Sequence, residues 1–524
     1  MAPDPSSAHL LPDSDRRSTD TISLLEEPLR HESGEATNSS AWSDGSNDGR
    51  EKSVSTKYMI LLTCGTFGLQ NVWSLLLANG TPYLLSLGFS RSTTALIWIA
   101  GPLTGTFVQP FMGAMSDQST STWGKRKPFI IGGIIGAVLS MLSMAIMRIA
   151  AMKVYNWFGR DYISAHAMGN IARTLVIFWI CILNLSLQPL QVGLRAMVID
   201  GCPSHQQSTA SAWAGRFTGL GGIATYLLDD FMIRKYPHRA FEVLCLITSL
   251  SLILTNAPCL LFASERMASP QTASKQTFRP ARLTRRLMRT ARRMPHGVRN
   301  ICAVQFASWC GWFPFLYYNT TFISALDKKL TRSEKNHPES SGVQAYLFFA
   351  IIAFLCSILL PLLKPTLSIA ETTSDSSKPH KKWRSHITLS RLWLLSQIVF
   401  ALLMFCTIFV TTTFAGILII AICGFSWSLT QWIPLAMMSA EIARMREASR
   451  CEGEVEGEDE TGSLMSIFNV AISAPQILAG ALCSLLFWII GNADAVYSLG
   501  WALRMGGVAS VLSAILMIAL RSKG

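Results

Sequence analysis

Long uncharged stretches alternate with short charged segments along this chain. Each uncharged stretch spans about 20 residues, which is the length of a helix that crosses the hydrocarbon core of a bilayer. Because a helix satisfies its own backbone polar groups, the pattern predicts an all-α membrane protein with twelve transmembrane helices. The predicted helices lie at residues 58–78, 92–115, 128–151, 172–198, 210–233, 240–263, 299–324, 343–363, 388–411, 413–438, 463–490 and 501–520.

A long basic connection separates the sixth predicted helix from the seventh and divides the chain into two halves of six helices. It runs from Arg266 to Arg293 and carries Lys275, Arg279, Arg282, Arg285, Arg286, Arg289 and Arg292. This is the layout of the major facilitator fold, in which two halves rock around a site at the middle of the membrane. The pattern predicts five segments: a disordered cytosolic tail at 1–57, an N-terminal half at 58–263, a basic cytosolic linker at 264–298, a C-terminal half at 299–520 and a cytosolic C-terminus at 521–524.

Composition agrees with a membrane protein and excludes several other classes. Half of the 524 residues are hydrophobic and only 15% are charged, compared with about 25% in soluble chains. A single soluble domain, a secreted disulfide scaffold and a compact nucleic-acid module are therefore excluded. The formal net charge of +13 lies in the loops between the predicted helices. We therefore expect a lipid bilayer, and no nucleic acid, as a partner.

No motif for catalysis or metal binding accompanies this pattern. The twelve cysteines are scattered, without the paired spacing that holds a metal, and we interpret them as packing residues. The sequence contains no Ser/His/Asp arrangement, no metal-spaced histidine cluster and no P-loop. We therefore predict a protein that is not an enzyme and that uses neither a metal nor a cofactor.

The distribution of basic residues predicts the orientation in the membrane. Lys and Arg near the ends of transmembrane helices are retained on the cytosolic side. With a cytosolic N-terminus, the inner loops carry the basic cluster at 125–127, the linker and the basic cluster at 378–384. Both termini are then cytosolic, and the acidic run 452–460 is a solvated inner loop. We favour the plasma membrane over the vacuolar membrane.

Charged residues between the second and third predicted helices form a candidate gate at the cytosolic face. Asp117 ends the second helix, and Lys125, Arg126 and Lys127 precede the third helix, which starts at a proline. We expect these four residues to hold the inner gate through contacts that break when the two halves rock. The alternative is a topology signal made only of cytosolic charge.

The sequence around this gate, GPLTGTFVQPFMGAMSDQSTSTWGKRKPF, resembles the sucrose transporter family of glycoside:cation symporters. The resemblance covers residues 58–520 and points to the fungal members of the family. Further matching positions are Gln70, Trp73, Thr81–Tyr83, Gln191, Arg195, Ala196, Asp200, Phe217–Gly221, Gly311–Phe315, Ser426, Trp427, Trp432 and Pro434. The resemblance implies the major facilitator fold and proton-coupled uptake of sucrose or a related α-glucoside.

Polar residues on the fourth predicted helix form a stripe that suits a sugar. Asn184, Gln188, Gln191 and Arg195 are spaced i, i+4, i+7 and i+11, which places them on one helical face. Amides bind sugar hydroxyls, aromatic rings cover the apolar side of a sugar ring, and a polar stripe in lipid must face a cavity or another helix. Similar stripes and the resemblance add Gln70, Trp73, Trp312, Asn319, Trp427, Gln431 and Asn469 as substrate-binding residues. The alternative is that these side chains only join neighbouring helices.

The position that would carry a coupled proton departs from the family pattern. Plant members have an aspartate at the position of Asn184, and many fungal and animal members have a glutamate at the position of Leu76. Neither an amide nor a leucine takes up a proton near neutral pH. The resemblance therefore identifies no coupling residue in this chain.

Three aspartates remain as candidates for proton coupling. Asp229 and Asp230 lie near the outer end of the fifth predicted helix, where mutual repulsion and loss of solvation favour the protonated form of a carboxyl. The alternative is that they end the helix at the outer surface. Asp200 lies off the polar stripe, near the cytosolic end of the fourth helix, and we expect it to pair with Arg216 or with a backbone amide.

The leading interpretation is a secondary transporter that moves a disaccharide with a proton by alternating access. The disaccharide would be sucrose, maltose or a related α-glucoside, and the partners would be this sugar, the proton and the bilayer. One alternative is an uncoupled glycoside facilitator, which the missing acidic residues support. Another is a sugar sensor that binds without transport and signals through the N-terminal tail or the basic linker.

Overall fold

The computed structural model describes most of the chain between residues 53 and 521. The described residues are 53–117, 119, 121–158, 165–203, 206–237, 239–263, 280–331, 338–362, 367–368, 387–451, 458–491 and 493–521, and they belong to one compact unit, Lys52–Gly524. Several predicted features lie outside them. These are most of the N-terminal tail, the first part of the linker, the basic cluster at 378–384, the acidic run as far as residue 457, and the last three residues.

Helices make up nearly all of the described chain. The N-terminal half contains α1 Thr56–Thr63, α2 Gly65–Ser86, α3 Arg91–Trp98, α4 Ala100–Leu103, a π-helical turn Thr104–Val108, α5 Gln109–Asp117, α6 Lys127–Phe158, α7 Ala165–Gly201, α8 Gln207–Lys235 and α9 Ala240–Phe262. The linker contains α10 Pro280–Arg292. The C-terminal half contains α11 His296–Thr331, α12 Pro338–Leu362, α13 Leu389–Cys406, a 3-10 turn Thr407–Phe409, α14 Thr413–Cys451, α15 Glu458–Ile490 and α16 Ala495–Arg521. Two short strands, β1 Leu367–Ser368 and β2 Ile387–Thr388, pair in parallel.

Each of the twelve predicted membrane helices has a helical counterpart. The first is formed by α1 and α2, the second by α3 to α5, and the others by α6 to α9 and α11 to α16 in order. Within the described residues, ten of these are long and apolar enough to cross a membrane. The fifth and seventh, α8 and α11, are 29 and 36 residues long, but polar side chains reduce their mean hydropathy. The all-α membrane architecture is confirmed, whereas the number twelve stays a prediction.

The second predicted helix is not a regular α-helix. It consists of α3, the short α4 and α5, with the π-helical turn Thr104–Val108 between α4 and α5. Pro102 and Pro110 flank the turn, and each proline removes one backbone donor from the helical hydrogen-bond ladder. A π-helical turn often lies at a functional site, and this one lies at the middle of its helix.

The two halves meet at the end of the bundle where α15 ends and α3 and α16 begin. The Arg91 guanidinium donates to the Ser498 hydroxyl at 3.0 Å and to the backbone oxygen of Ala493 at 3.1 Å. The hydroxyl oxygens of Ser92 and Ser484 lie 2.9 Å apart. These contacts join α3 of the N-terminal half to α15 and α16 of the C-terminal half. We call this end of the bundle the closed end.

A second group of contacts between the halves lies deeper in the bundle from the closed end. The Thr81 hydroxyl of α2 donates to the backbone oxygen of Tyr317 in α11 at 2.9 Å. In return, the Thr320 hydroxyl of α11 donates to the backbone oxygen of Ala78 at 3.2 Å. The Trp98 indole donates to the Thr81 hydroxyl at 3.0 Å. Hydrogen bonds therefore join the two halves from the closed end inward as far as Ala78.

At the opposite end, two described ion pairs each lie within one half. In the N-terminal half, the Arg126 guanidinium pairs with the Asp200 carboxylate at 2.9 Å. In the C-terminal half, Arg444 pairs with Glu441 at 3.4 Å. We call this end of the bundle the Asp200 end.

Glycines allow a close approach of helices within each half. Gly311 of α11 faces Gly506 of α16 so closely that a Cβ atom on either glycine would lie 2.7 Å from the backbone oxygen of the other. Such contacts are typical of membrane helices, because packing rather than hydrophobic burial joins helices in lipid. By contrast, Gly132 of α6 is exposed, and nothing lies within 4 Å of its Cβ position.

We expect Gly311→Ala to lower the stability of the protein by about 1–3 kcal/mol, because the added methyl group meets a rigid backbone oxygen. Thermal unfolding of the purified protein in detergent measures the change. Gly132→Ala is the matched control, and it should leave the unfolding midpoint unchanged or slightly raised. Equal midpoints for the two variants would contradict the close contact between α11 and α16.

Candidate functional site

The predicted polar stripe lies along one face of α7, and its exposure changes along the helix. Asn184 and Gln188 are only 2% and 3% exposed, Gln191 is half-buried and Arg195 is exposed. The stripe is therefore buried toward the closed end and accessible toward the Asp200 end.

The buried part of the stripe contacts the irregular second helix. The Gln188 side-chain amide donates to the hydroxyl of Thr104, the first residue of the π-helical turn, at 3.1 Å. The Asn184 amide donates to the backbone oxygen of Ile180 at 2.9 Å. The Asn184 side-chain oxygen lies 2.8 Å from the position that a Cβ atom on Gly101 would take. Glycine at this position therefore lets α4 approach the amide.

The C-terminal half reaches the same turn from α15. A Cβ atom on Gly105 would lie 2.9 Å from the Ser473 hydroxyl, and Ser473 follows the half-buried Asn469 by one helical turn. The π-helical turn thus lies between a polar face of α7 and a polar face of α15. The sequence analysis did not predict Thr104 as a site residue. Thr104 lies between two prolines, inside the motif that carries the resemblance. This position is the signal that identifies Thr104.

Three tryptophans form an aromatic group in the C-terminal half. The ring of the half-buried Trp427 in α14 lies 5.6 Å from Trp309 and 5.0 Å from Trp312, both in α11. The indole N–H groups of Trp309 and Trp312 are buried and have no hydrogen-bond partner among the described residues. A buried donor normally has an acceptor, so the N–H of the half-buried Trp309 suits an oxygen of a ligand, whereas the Trp312 side chain is completely buried among aromatic rings. Gln431, one turn after Trp427, is exposed.

The other predicted substrate-binding residues make contacts within the protein. Gln70 donates to the Ser74 hydroxyl at 3.1 Å, and the half-buried Trp73 packs against the main hydrophobic core. Asn319 is fully buried and donates to the backbone oxygen of Phe315 at 2.8 Å. The side-chain oxygen of Asn319 has no partner within the described part of the chain.

The expected pair between Asp200 and Arg216 is not formed, and this expectation is corrected. Asp200 accepts a hydrogen bond from the Arg126 guanidinium at 2.9 Å, whereas the Arg216 guanidinium lies 4.7 Å from the centre of the Trp213 ring. Arg126 also donates to the Ser116 hydroxyl at 2.9 Å. The physical reason is that α6 packs along α7, which brings the residue just before α6 to the end of α7.

The predicted gate residues lie together at the Asp200 end. Arg126 joins the ends of α5 and α7 through the two contacts just described. Lys125 and Lys127 are half-buried, and Lys127 is the first residue of α6. Asp117 is the last residue of α5, and its side chain lies outside the described part of the structure. These contacts belong to the N-terminal half, so a gate between the halves stays a prediction.

The adjacent aspartates of α8 have different surroundings. Asp229 is fully buried. One carboxylate oxygen accepts from the Asn79 amide of α2 at 2.6 Å, and the other has no partner in the described ranges. Asp230 forms an ion pair with Arg234 at 3.1 Å. Because α8 continues to Lys235, neither aspartate ends the helix.

Asp230 also crosses to the C-terminal half. It accepts hydrogen bonds from the Ser340 hydroxyl and from the Gln344 amide, the latter at 3.2 Å, and both residues belong to α12. Asp230 therefore helps to join the halves at the closed end, whereas Asp229 bonds within its own half. No three His, Cys, Asp or Glu side chains gather as metal ligands in the part of the chain that the structure describes.

Comparison with known sequences identifies the family. Residues 61–480 match the Major Facilitator Superfamily. The chain is 31% identical to a general alpha-glucoside permease of Schizosaccharomyces pombe, over 88% of this chain and 93% of the relative. It is 25% identical to a sucrose transport protein of Arabidopsis thaliana, over 81% of this chain and 83% of the relative.

Solved structures share the fold. The nucleoside transporter NupG has a TM-score of 0.56 and 11% sequence identity, with 89% of this chain and 99% of that chain covered. The xylose transporter XylE of E. coli also has a TM-score of 0.56, with 12% identity and 88% and 98% covered. At these identities the likeness concerns the fold alone, and it confirms the predicted major facilitator architecture. The chain therefore belongs to the Major Facilitator Superfamily, and within it to the family of sucrose and α-glucoside transporters.

Proposed function

We propose that this protein carries a disaccharide across the membrane together with a proton, by alternating access. The substrate is sucrose, maltose or a related α-glucoside. The protein acts as a transporter and not as an enzyme, in the plasma membrane, with both termini in the cytosol. The observation that carries the proposal is the change in exposure along α7, whose polar face is buried toward the closed end and accessible toward the Asp200 end.

The relatives and the side chains of the site support the substrate class. Two of the relatives that the chain matches are a general alpha-glucoside permease and a sucrose transport protein. The amides of α7 offer donors and acceptors to sugar hydroxyls. Trp309 offers a buried N–H group, and tryptophan rings suit the apolar side of a pyranose. A disaccharide, which has many hydroxyls and two such apolar sides, uses both kinds of group.

The hydrogen bonds between the halves support a transport cycle. Each is worth about 0.5–1.5 kcal/mol net, so a few of them hold the closed end without locking it. In the state described here, the sugar exchanges with the Asp200 end, which the basic residues predict to be cytosolic. Opening of the closed end and closing of the Asp200 end then present the same polar face to the other side of the membrane.

Asp229 is the residue that we propose for the proton. Its carboxyl is fully buried, one oxygen is unpartnered within the described residues, and the hydrogen-bond donor to the other oxygen is the neutral Asn79 amide. A buried charge without a cationic partner is costly, and proton binding removes that charge. Asp230 differs because Arg234 balances its charge.

A second candidate function is an uncoupled glycoside facilitator. It is favoured by Leu76 and Asn184, which are both buried and which stand where the pattern implied by the family resemblance has acidic residues. Saturable uptake that is indifferent to external pH and to an uncoupler would support this function. Sugar binding without any uptake would instead support a sensor.

We expect loss of the polar groups of α7 to reduce transport. Gln188→Leu and Arg195→Leu should each lower the initial rate of labelled sucrose or maltose uptake about fivefold or more, because a polar partner left without its hydrogen bond costs about 1–3 kcal/mol. Uptake is measured in yeast that lacks its own sugar carriers, relative to protein at the cell surface. Leu185→Ala changes an exposed residue of the same helix and should transport normally. Unchanged uptake in both polar-face variants would refute the site.

We expect Asp229→Asn to abolish accumulation of sugar against its gradient, because an amide does not exchange a proton, while downhill exchange continues. Uptake is followed at external pH from about 5 to 7, with and without an uncoupler. The wild-type protein should accumulate sugar and lose it when the uncoupler is added. Asp230→Asn removes the same charge one residue away and should remain sensitive to the uncoupler. Continued accumulation by Asp229→Asn would show that another group carries the proton.

We expect a disulfide across the closed end to stop transport. Ser92→Cys combined with Ser484→Cys places thiols where two hydroxyl oxygens lie 2.9 Å apart, so oxidation should reduce uptake to background and a reductant should restore it. Each single-cysteine variant controls for the native cysteines and should stay active under oxidation. Full activity of the cross-linked double variant would be incompatible with alternating access.

A further inference from the structure

The linker helix α10 has one strongly basic side. Residues 282–293 contain six arginines, five in the helix and one in the turn that follows it. With 3.6 residues per turn, all six fall within about 120° of the helix circumference. They are Arg282, Arg285, Arg286, Arg289, Arg292 and Arg293. We call this side of α10 the arginine face.

The other side of α10 is held by the protein. Leu283 and Leu287, one helical turn apart and opposite the arginine face, are half-buried, and α10 packs against α15. On the arginine face, Arg285, Arg289 and Arg292 are exposed. The helix therefore presents the guanidinium groups of these three arginines to its surroundings.

The arginine face lies next to a predicted membrane helix. α10 ends at Arg292, and α11, which forms the seventh predicted membrane helix, begins at His296. Four residue steps span at most about 14 Å, which keeps Arg292 within reach of the headgroup layer at the Asp200 end. No Asp or Glu occurs in the chain between Glu265 and Asp327, so no acidic residue close in sequence offsets this charge.

We propose that the arginine face binds the phosphate groups of anionic phospholipids in the leaflet at the Asp200 end. Every basic residue of α10 is an arginine and none is a lysine. The planar guanidinium group binds phosphate through two parallel hydrogen bonds, and a cluster of four to eight basic residues beside a membrane helix is typical of anionic-lipid binding. Lipid binding would hold the linker at the membrane surface while the two halves rock.

The test uses the full-length protein in vesicles of phosphatidylcholine that contain about one-fifth phosphatidylserine. The protein is extracted again in mild detergent, and the lipids that remain bound are identified by native mass spectrometry. We expect phosphatidylserine to be enriched several-fold over its share in the vesicle, and the enrichment to fall as salt is raised, because salt screens exposed charges. A variant that combines Arg285→Gln, Arg289→Gln and Arg292→Gln should lose the enrichment.

A matched control removes the same charge from another predicted cytosolic loop. The control combines Lys378→Gln, Lys381→Gln and Lys382→Gln, and it should keep the enrichment. Size-exclusion chromatography checks that each variant remains folded and monodisperse. Enrichment that survives loss of the three arginines, or that is lost equally in the lysine control, would overturn the proposal.

Within the protein, the acidic run 452–460, which leads into α15, is the alternative binding partner of the arginine face. If it neutralises the arginine face, the wild-type protein shows no enrichment, and replacement of acidic residues by glutamines creates it. That result would also overturn the proposal and would assign the arginine face to the acidic run. The replacements are Glu452→Gln, Glu454→Gln and Glu456→Gln.

Discussion

Every polar group inside the bilayer must find its partner within the protein, because lipid offers none. The backbone meets this constraint by forming helices. Many hydroxyls meet it within their own helix: Thr63, Ser140 and Ser249 each donate to the backbone oxygen four residues earlier. Against this background, the buried atoms without a described partner are informative. One Asp229 carboxylate oxygen and the Trp309 indole N–H are among them, and both belong to residues that suit proton or sugar binding.

The same constraint explains how two rigid halves are joined by a reversible interface. Within the C-terminal half, α11 and α16 approach through Gly311 and Gly506. Separating these helices would lose close packing, and water would not replace it. Between the halves, hydrogen bonds such as that from Thr81 to the backbone of Tyr317 lie beside aromatic contacts such as the stacked rings of Tyr226 and Tyr346. When the halves separate, water replaces the hydrogen-bond partners, so that part of the exchange costs little. The polar share of the interface therefore favours its opening, whereas close glycine contacts keep each half intact.

Asp229 and Asp230 show how far adjacent residues can differ in one helix. A helix turns by about 100° per residue, so neighbouring side chains face different helices. Asp229 meets Asn79 of α2 in its own half, whereas Asp230 meets Ser340 of α12 in the other half. The sequence analysis identified both as proton candidates and had no means to separate them, because the partner helices lie far away in the chain.

The sequence by itself determined the helical membrane architecture, the division into two halves, the polar face of α7 and the basic character of the linker. These features depend on composition and on local periodicity, which a short window of residues contains. Only the tertiary structure decided that Asp200 pairs with Arg126, which is 74 residues away in the chain, and that Thr104 contacts the polar face of α7. Such contacts depend on which helix faces meet. That choice is made by the packing of all the helices together, and no single segment encodes it.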